Sequence, residues 1–288
     1  MAETQRPPTS VEHFDASAAK YERSTGKCTR ELARALLDLP QLQDLCSAEA
    51  VVLDNACGTA IVADEIINRC RQQNTSIPEI HAVDPAPNMV DLARAKLAAL
   101  DATHRCTAAV MPGEKLAFGD AAFSHSITNL GILFFNDGAA GARELHRTLR
   151  PGGVAVVTSW ADVGYLRGVI QPAHKAARPD DAPFDLPIPK AWLEPAHVER
   201  CLRDDGGFAA VEMLERVVHY GAATRDELRQ MSLDTFQALW KDWTGEELER
   251  FRGAMAECIE RVAEPYTMVD GTPGVGIRMR AIVAVCRK

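Results

Sequence analysis

The feature that most constrains this chain is the run VVLDNACGTA, Val51 to Ala60: a short strand-forming stretch that ends in an acid, then five small residues. Small side chains let a backbone loop come close to a ligand, and a helix that follows presents unpaired N–H groups to it. Gly58 supplies the position free to take φ > 0 or a close approach. Ala56 and Ala60 fit there if the loop holds them in the ordinary αR or β regions. The segment predicts a strand, a ligand-binding loop and a helix over residues 61–71.

The same alternation continues. Residues 79–83 read as a strand closed by Asp84, and residues 89–100 carry strong helix formers. Strands are expected at 105–110 and 123–130, a helix at 139–149, a Pro151-Gly152-Gly153 stop, and a strand at 154–159. Strands alternating with helices imply a parallel sheet. Before it, residues 11–39 have helical spacing with a pause at Gly26. After Trp160, prolines at 172, 179, 183, 187, 189 and 195 interrupt the pattern. A helix at 196–203, a strand at 210–220, a mostly helical stretch at 225–263 and a last strand at 278–286 follow. The expected division is a helical cover (1–45), a ligand-binding core (46–160), and a lid with the final strands (161–288).

At 288 residues the chain can bury one large core, and its 47% hydrophobic and 25% charged residues are those of an ordinary globular protein. A formal net charge of −8 without long like-charge runs argues against nucleic acid and anionic membranes as partners. A small molecule is expected instead, with the chain acting as a monomer or homodimer. Eight scattered cysteines form no CxxC pair, so no metal is expected. The first residues, MAETQRPPTS, hold no apolar leader, and no stretch of about 18 apolar residues occurs, which predicts a cytoplasmic protein.

These motifs resemble the class I S-adenosylmethionine-dependent methyltransferases, in which a D-x-[GA]-x-G-x-[GA] loop holds the methionine part of the cofactor and a strand-end acid holds the ribose. Asp54, Ala56, Gly58 and Ala60 occupy the loop positions, and Asp84 the acid's. VDPAPNMVDLARAKL, EKLAF and LHRTLRPGGVAVVTSW follow in the family's order. The ubiquinone-methyltransferase branch and fungal small-molecule methyltransferases of secondary metabolism are the most similar groups, including those that S-methylate dithiol diketopiperazines. The resemblance implies an α/β, Rossmann-like, doubly wound, mostly parallel seven-stranded sheet, with an N-terminal helical cover and a helical lid inserted before the last strand. It also implies S-adenosyl-L-methionine as cofactor.

Carried onto this chain, the cofactor contacts expected are Asp54, Asn55, Ala56 and Gly58 in the loop, Asp84 on the ribose, and Pro85, Asn88 and Met89 in the turn beyond it. Tyr21 and Thr25 would cover the methionine end, while Asn129 and Leu130 end the fourth strand beside it. Many relatives carry an acid for the adenine amino group where this chain has Met111-Pro112-Gly113, so these three are expected on the adenine side, with adenine recognised by backbone groups, apolar packing or a nearby side chain. Asp54 also reads as a helix cap, Asp84 as an Asx turn, and Asn88 as an N-cap. Trp160, Phe236 and Trp240, with Trp243 and Tyr266, would line an apolar acceptor site or simply pack the lid.

A general base is not identified by spacing: His125 and His146 are the named candidates, beside His174, His197 and His219, and each has an ordinary structural reading. The expected activity is methyl transfer to O, S or N of a small apolar or aromatic metabolite, mainly by proximity and orientation. Alternatives are a same-fold enzyme catalysing a non-methylating cyclisation or elimination, and a non-catalytic cofactor sensor.

Overall fold

The computed structural model describes residues 9–288, so residues 1–8 of the expected cover lie outside the described residues. Helix α1 (Ser10–Ser17) opens with a capping box, in which the Thr9 hydroxyl accepts from Glu12 N–H and the Glu12 carboxylate accepts from Thr9 N–H. Helices α2 (Tyr21–Ser24) and α3 (Cys28–Leu36) are parted by left-handed Gly26 and Lys27, the pause expected at Gly26.

The core alternates as its periodicity dictates: β1 (Val51–Asn55), α4 (Ile61–Gln73), β2 (Glu79–Asp84), α5 (Pro87–Ala99), β3 (Cys106–Val110), β4 (Phe123–Thr128), α6 (Gly138–Thr148) and β5 (Leu149–Asp162). The lid elements α7 (Gln171–Ala177) and α8 (Pro195–Arg200) follow. Then come β6 (Ala210–Ala222), α9 (Arg225–Thr235), α10 (Gly245–Val262), β7 (Glu264–Thr267) and β8 (Pro273–Arg287).

The sheet runs β3-β2-β1-β4-β5-β8-β6, seven strands on one path with short β7 paired to β8. Strands β1 to β5 pair in parallel, while β8 runs antiparallel between β5 and β6. The chain moves one way from β1 to β3 and the other way from β4 onward. Right-handed crossovers therefore place α4 and α5 on one face and α6 on the other. The order reverses between β1 and β4, so a crevice opens at their carboxyl ends, where open α/β sheets bind ligands.

One expectation is corrected. The Pro151-Gly152-Gly153 stop does not precede the fifth strand: α6 ends at Thr148, β5 begins at Leu149, and the three residues sit in its first turn of pairing, where the register with β4 shifts between Phe123 and His125. Gly152, at φ +78, takes the left-handed kink that such an irregularity needs. The stretch at 225–263 is mostly helical as expected, divided in two because Thr244 starts α10 with its own capping box to Glu247.

Among the described residues no helix is long and apolar enough to cross a membrane. Where the chain leaves β5 for the lid, a β-carbon at Gly164 would lie 1.9 Å from the Arg278 carbonyl oxygen of β8. Gly164→Ala is expected to cost about 1–3 kcal/mol of unfolding free energy in urea, while Gly119→Ala, with open space around it, should stay within about 0.5 kcal/mol of the parent.

Candidate active site

The crevice is floored by the loop after β1. Cys57 N–H donates to the Val83 carbonyl at 2.9 Å and Gly58 N–H to Asp84 Oδ2 at 2.9 Å, tying the loop to the end of β2. Ala56, Gly58 and Ala60 have φ of +55°, +53° and +59°. This corrects the expectation that both alanines stay in the αR or β regions: all three alternate residues are left-handed, at about 1–2 kcal/mol for each alanine. Such strain persists where surrounding bonds fix it, as it often does at ligand sites.

Asp54, only 1% exposed, caps α4 by accepting from Ala63 N–H at 3.2 Å, and its other oxygen has no partner. Burial pushes its carboxyl up to about 7. Asp84 accepts from Ala86 N–H at 2.9 Å as an Asx turn besides holding Gly58, and burial raises its carboxyl too. Pro85 lies between these two bonds. Met89 is buried with Ala18 and Ala86 beneath Val11, Phe14 and Tyr21. Asn88 is engaged by the cover, with its N–H and side-chain amide donating to the Asp15 carboxylate at 2.7 and 3.0 Å.

The cover is locked to the loop by charge. Glu22 accepts from the Thr59 hydroxyl at 3.1 Å and from Arg30 at 2.8 Å, and pairs with Lys96 of α5. Burial alone would raise its carboxyl, but Lys96 and Arg30 bring it down to about 2. Arg30 also reaches Asp64 and Glu65 of α4, each at 2.7 Å. Beside this network the Tyr21 ring lies 3.6 Å from where a Gly58 β-carbon would be, and burial lifts its hydroxyl well above the usual range. The Thr25 hydroxyl donates to the Glu22 carbonyl at 3.3 Å.

Across the crevice, Met111 N–H donates to the Asp84 carbonyl at 3.0 Å, Pro112 is exposed, and Gly113 is buried against Asn55 and Phe135. Asn129 bridges elements: its amide donates to the Thr29 carbonyl and its oxygen accepts from the Thr158 hydroxyl, both at 3.0 Å. Leu130, at φ +57, donates its N–H to that same hydroxyl at 2.8 Å.

Phe236 and Trp240 are buried in a continuous set of rings. Tyr165 stacks on Tyr220 at 4.3 Å, Phe236 lies 5.9 Å from Tyr165, and Trp240 lies 6.3 Å from Phe236. Trp160 is buried on β5 opposite Ala281. Tyr220 in turn abuts Gly26, so the rings reach the turn next to Tyr21. Neither Tyr165 nor Tyr220 stands out in sequence, because nothing there brings a residue after β5 against one late in β6.

The two named base candidates do not come to the crevice. His125 pairs in register with Val52 near the amino ends of the strands and meets Asp44 at 3.1 Å. His146 lies in the last turn of α6, which has run back to that same end, edge-on to Phe208 at 5.2 Å. Burial lowers the pKa of both. His219, on the carboxyl-end side, is held at Nδ1 by Glu31 at 3.0 Å and at Nε2 by Glu264 at 3.4 Å, and stacks on Tyr266 at 4.4 Å.

A family model described as a methyltransferase domain matches residues 52–153. Methyltransferase ktnA of Aspergillus niger is 20% identical over 99% of both chains, and methyltransferase ucsB of Acremonium sp. is 31% identical over 66% of this chain and 72% of its own. The chain belongs to the S-adenosylmethionine-dependent methyltransferases. Among solved structures, the [4+2]-cyclase SpnF superposes on this methyltransferase with a TM-score of 0.57 at 16% identity, covering 98% of this chain and 97% of that one, a likeness of fold alone. The methyltransferase's cofactor is S-adenosylmethionine. The residues suit that group on structural grounds: a left-handed loop of small residues, the unpartnered buried oxygen of Asp54, and the strand-end carboxylate of Asp84 that holds the loop come together at the carboxyl ends of β1 and β2.

His219 makes one corner of this methyltransferase pH-sensitive. Its hydrogen bond to Glu31 raises its pKa above the ordinary value. The folded state then binds the proton more tightly than the unfolded chain, so the pair's contribution is full below about pH 6.5 and is lost as pH rises through the higher folded value. Stability measured by urea unfolding is expected to fall from this source as pH rises above about 6.5. His219→Gln should flatten that part of the profile; an unchanged slope would show that the Glu31 pair contributes nothing.

Proposed function

We propose that the chain transfers the methyl group of S-adenosylmethionine to O, S or N of a small apolar or aromatic metabolite, and does so mainly by positioning. The observation that carries this reading is the run of rings from the cofactor loop into the lid: Tyr21 on Gly58, Tyr220 on Gly26, Tyr165 on Tyr220, and Phe236 with Trp240 beyond. Such a wall favours a flat or apolar acceptor over a sugar or a charged polymer.

In this reading Asp84 holds the ribose hydroxyls, Asp54, Ala56 and Gly58 hold the methionine part, Asn55 lies beneath the cofactor at the end of β1, and Pro85, Met89, Met111, Pro112 and Gly113 surround the adenine. Tyr21 and Thr25, with Asn88 beneath α1, close the cover; Asn129 and Leu130 set the edge where donor meets acceptor. Trp160, Phe236 and Trp240 shape the acceptor side. The bound cofactor supplies a methyl already activated by its sulfonium. The protein then has to exclude water and hold the nucleophile in line, a contribution worth several kcal/mol. The segments 1–45, 46–160 and 161–288 act as cover, cofactor core and lid. We place the enzyme in the cytoplasm as a monomer or homodimer; its net charge of −8 disfavours nucleic acid and anionic membranes as partners, and among the described residues no helix is long and apolar enough to cross a membrane.

Methyltransferases ktnA, tpcH and ucsB are fungal relatives, which supports methyl transfer as the reaction. The cyclase SpnF shares the fold, and turnover separates the two chemistries. Incubation with methyl-labelled cofactor and a panel of phenols, thiols and amines is expected to give labelled product and stoichiometric S-adenosylhomocysteine; a substrate converted with the cofactor left intact would overturn methyl transfer. Asp84→Ala is expected to weaken cofactor binding by about 10-fold or more in calorimetry, and an unchanged Kd would remove the ribose assignment.

A further inference from the structure

Asn55 ends β1 fully buried, and neither the oxygen nor the nitrogen of its carboxamide has a hydrogen-bond partner. Each such buried group left unmade costs about 1–3 kcal/mol, so natural cores rarely keep one without a ligand or water to meet it. The preceding residue, Asp54, turns to α4, so Asn55 turns to the opposite face of the sheet. There it meets Gly113: a β-carbon at that position would lie 2.6 Å from Asn55 Oδ1, 2.9 Å from Nδ2, and 2.4 Å from the tip of Phe135. Glycine at 113 thus leaves room for the carboxamide beneath the loop that leaves β3.

That loop has no polar side chain of its own at 111–113. Met111 has committed its N–H to Asp84, and Pro112 has none. We infer that Asn55 takes the place of the missing acid and reads the edge of the adenine ring, its oxygen accepting from the exocyclic amine and its NH2 donating to the neighbouring ring nitrogen. A carboxamide offers an acceptor and a donor side by side, which matches that edge of adenine in a way that neither a carboxylate nor an apolar side chain does. The inference rests on the cofactor placement proposed above, and it makes Asn55 a specificity-determining residue of the cofactor site.

The test compares two ligands by calorimetry: S-adenosylhomocysteine and its analogue in which the purine carries hydrogen in place of the amino group. The parent protein is expected to prefer the amino form by about 10-fold, the equivalent of one well-made hydrogen bond in a buried site. Asn55→Leu should bring the two within about 3-fold, while its ligand-free melting temperature is unchanged or raised, because it removes unpartnered groups. Asn55→Asp, which keeps the acceptor, should retain most of the preference. If the parent binds neither ligand, the cofactor placement fails. If it binds both and Asn55→Leu keeps the full preference, or weakens both ligands equally, the adenine role is overturned. A lower ligand-free melting temperature, or a variant that cannot fold, assigns Asn55 to holding the loop and overturns it as well.

Discussion

The bond from Gly58 N–H to the Asp84 carboxylate is the one on which the site depends. It joins the loop after β1 to the end of β2, beside the point where the strand order reverses between β1 and β4, and with the Cys57 bond to Val83 it leaves the loop one path. That path requires left-handed backbone at positions 56, 58 and 60, and glycine occupies only the middle one. The alanines accept the strain because the two bonds and the buried start of α4 hold the backbone on both sides.

The second constraint is electrostatic. Glu22, Arg30, Asp64, Glu65 and Lys96 come from four helices and meet around Thr59. Isolated surface pairs of this kind contribute little, but Glu65 has only 4% of its side chain exposed, so breaking the network would strand a charge in the interior. Cover and loop are therefore coupled. Any movement of α2 that admits a ligand must also rearrange Glu22, and the aromatic contacts of Phe14 with Tyr21 and Phe134 move with it.

Local chemistry made part of this legible. Strand-end acids, small loop residues and the alternation of strand and helix over 50–160 are properties of short segments, and each stands where periodicity puts it. What escaped depends on tertiary contact. The φ of Ala56 and Ala60 is set by bonds to β2, the Pro151-Gly152-Gly153 segment belongs to a strand because β4 pairs with it, and β7 is four residues long with a proline inside. His125 and His146 look alike in sequence to a histidine at the crevice; only the direction of β4 and α6 shows that both lie at the far end of the sheet. The Asn88 side chain could cap or bind, and the distance to Asp15 across 73 positions decides that α1 holds it.

These constraints bear together on how the site handles charge. Asp54 is buried with one oxygen bonded to Ala63 N–H and the other unpaired, and burial pushes its carboxyl up to about 7. A carboxylate in that state is costly without a cation beside it. In the proposed reading the cofactor's methionine end, an ammonium near a sulfonium, is the complement to that group, so the crevice is incomplete in charge until a positively charged ligand enters. The demethylated product has lost the sulfonium charge. In that reading the charge beside Asp54 differs between donor and product, and no acid–base step by the protein is needed to change it.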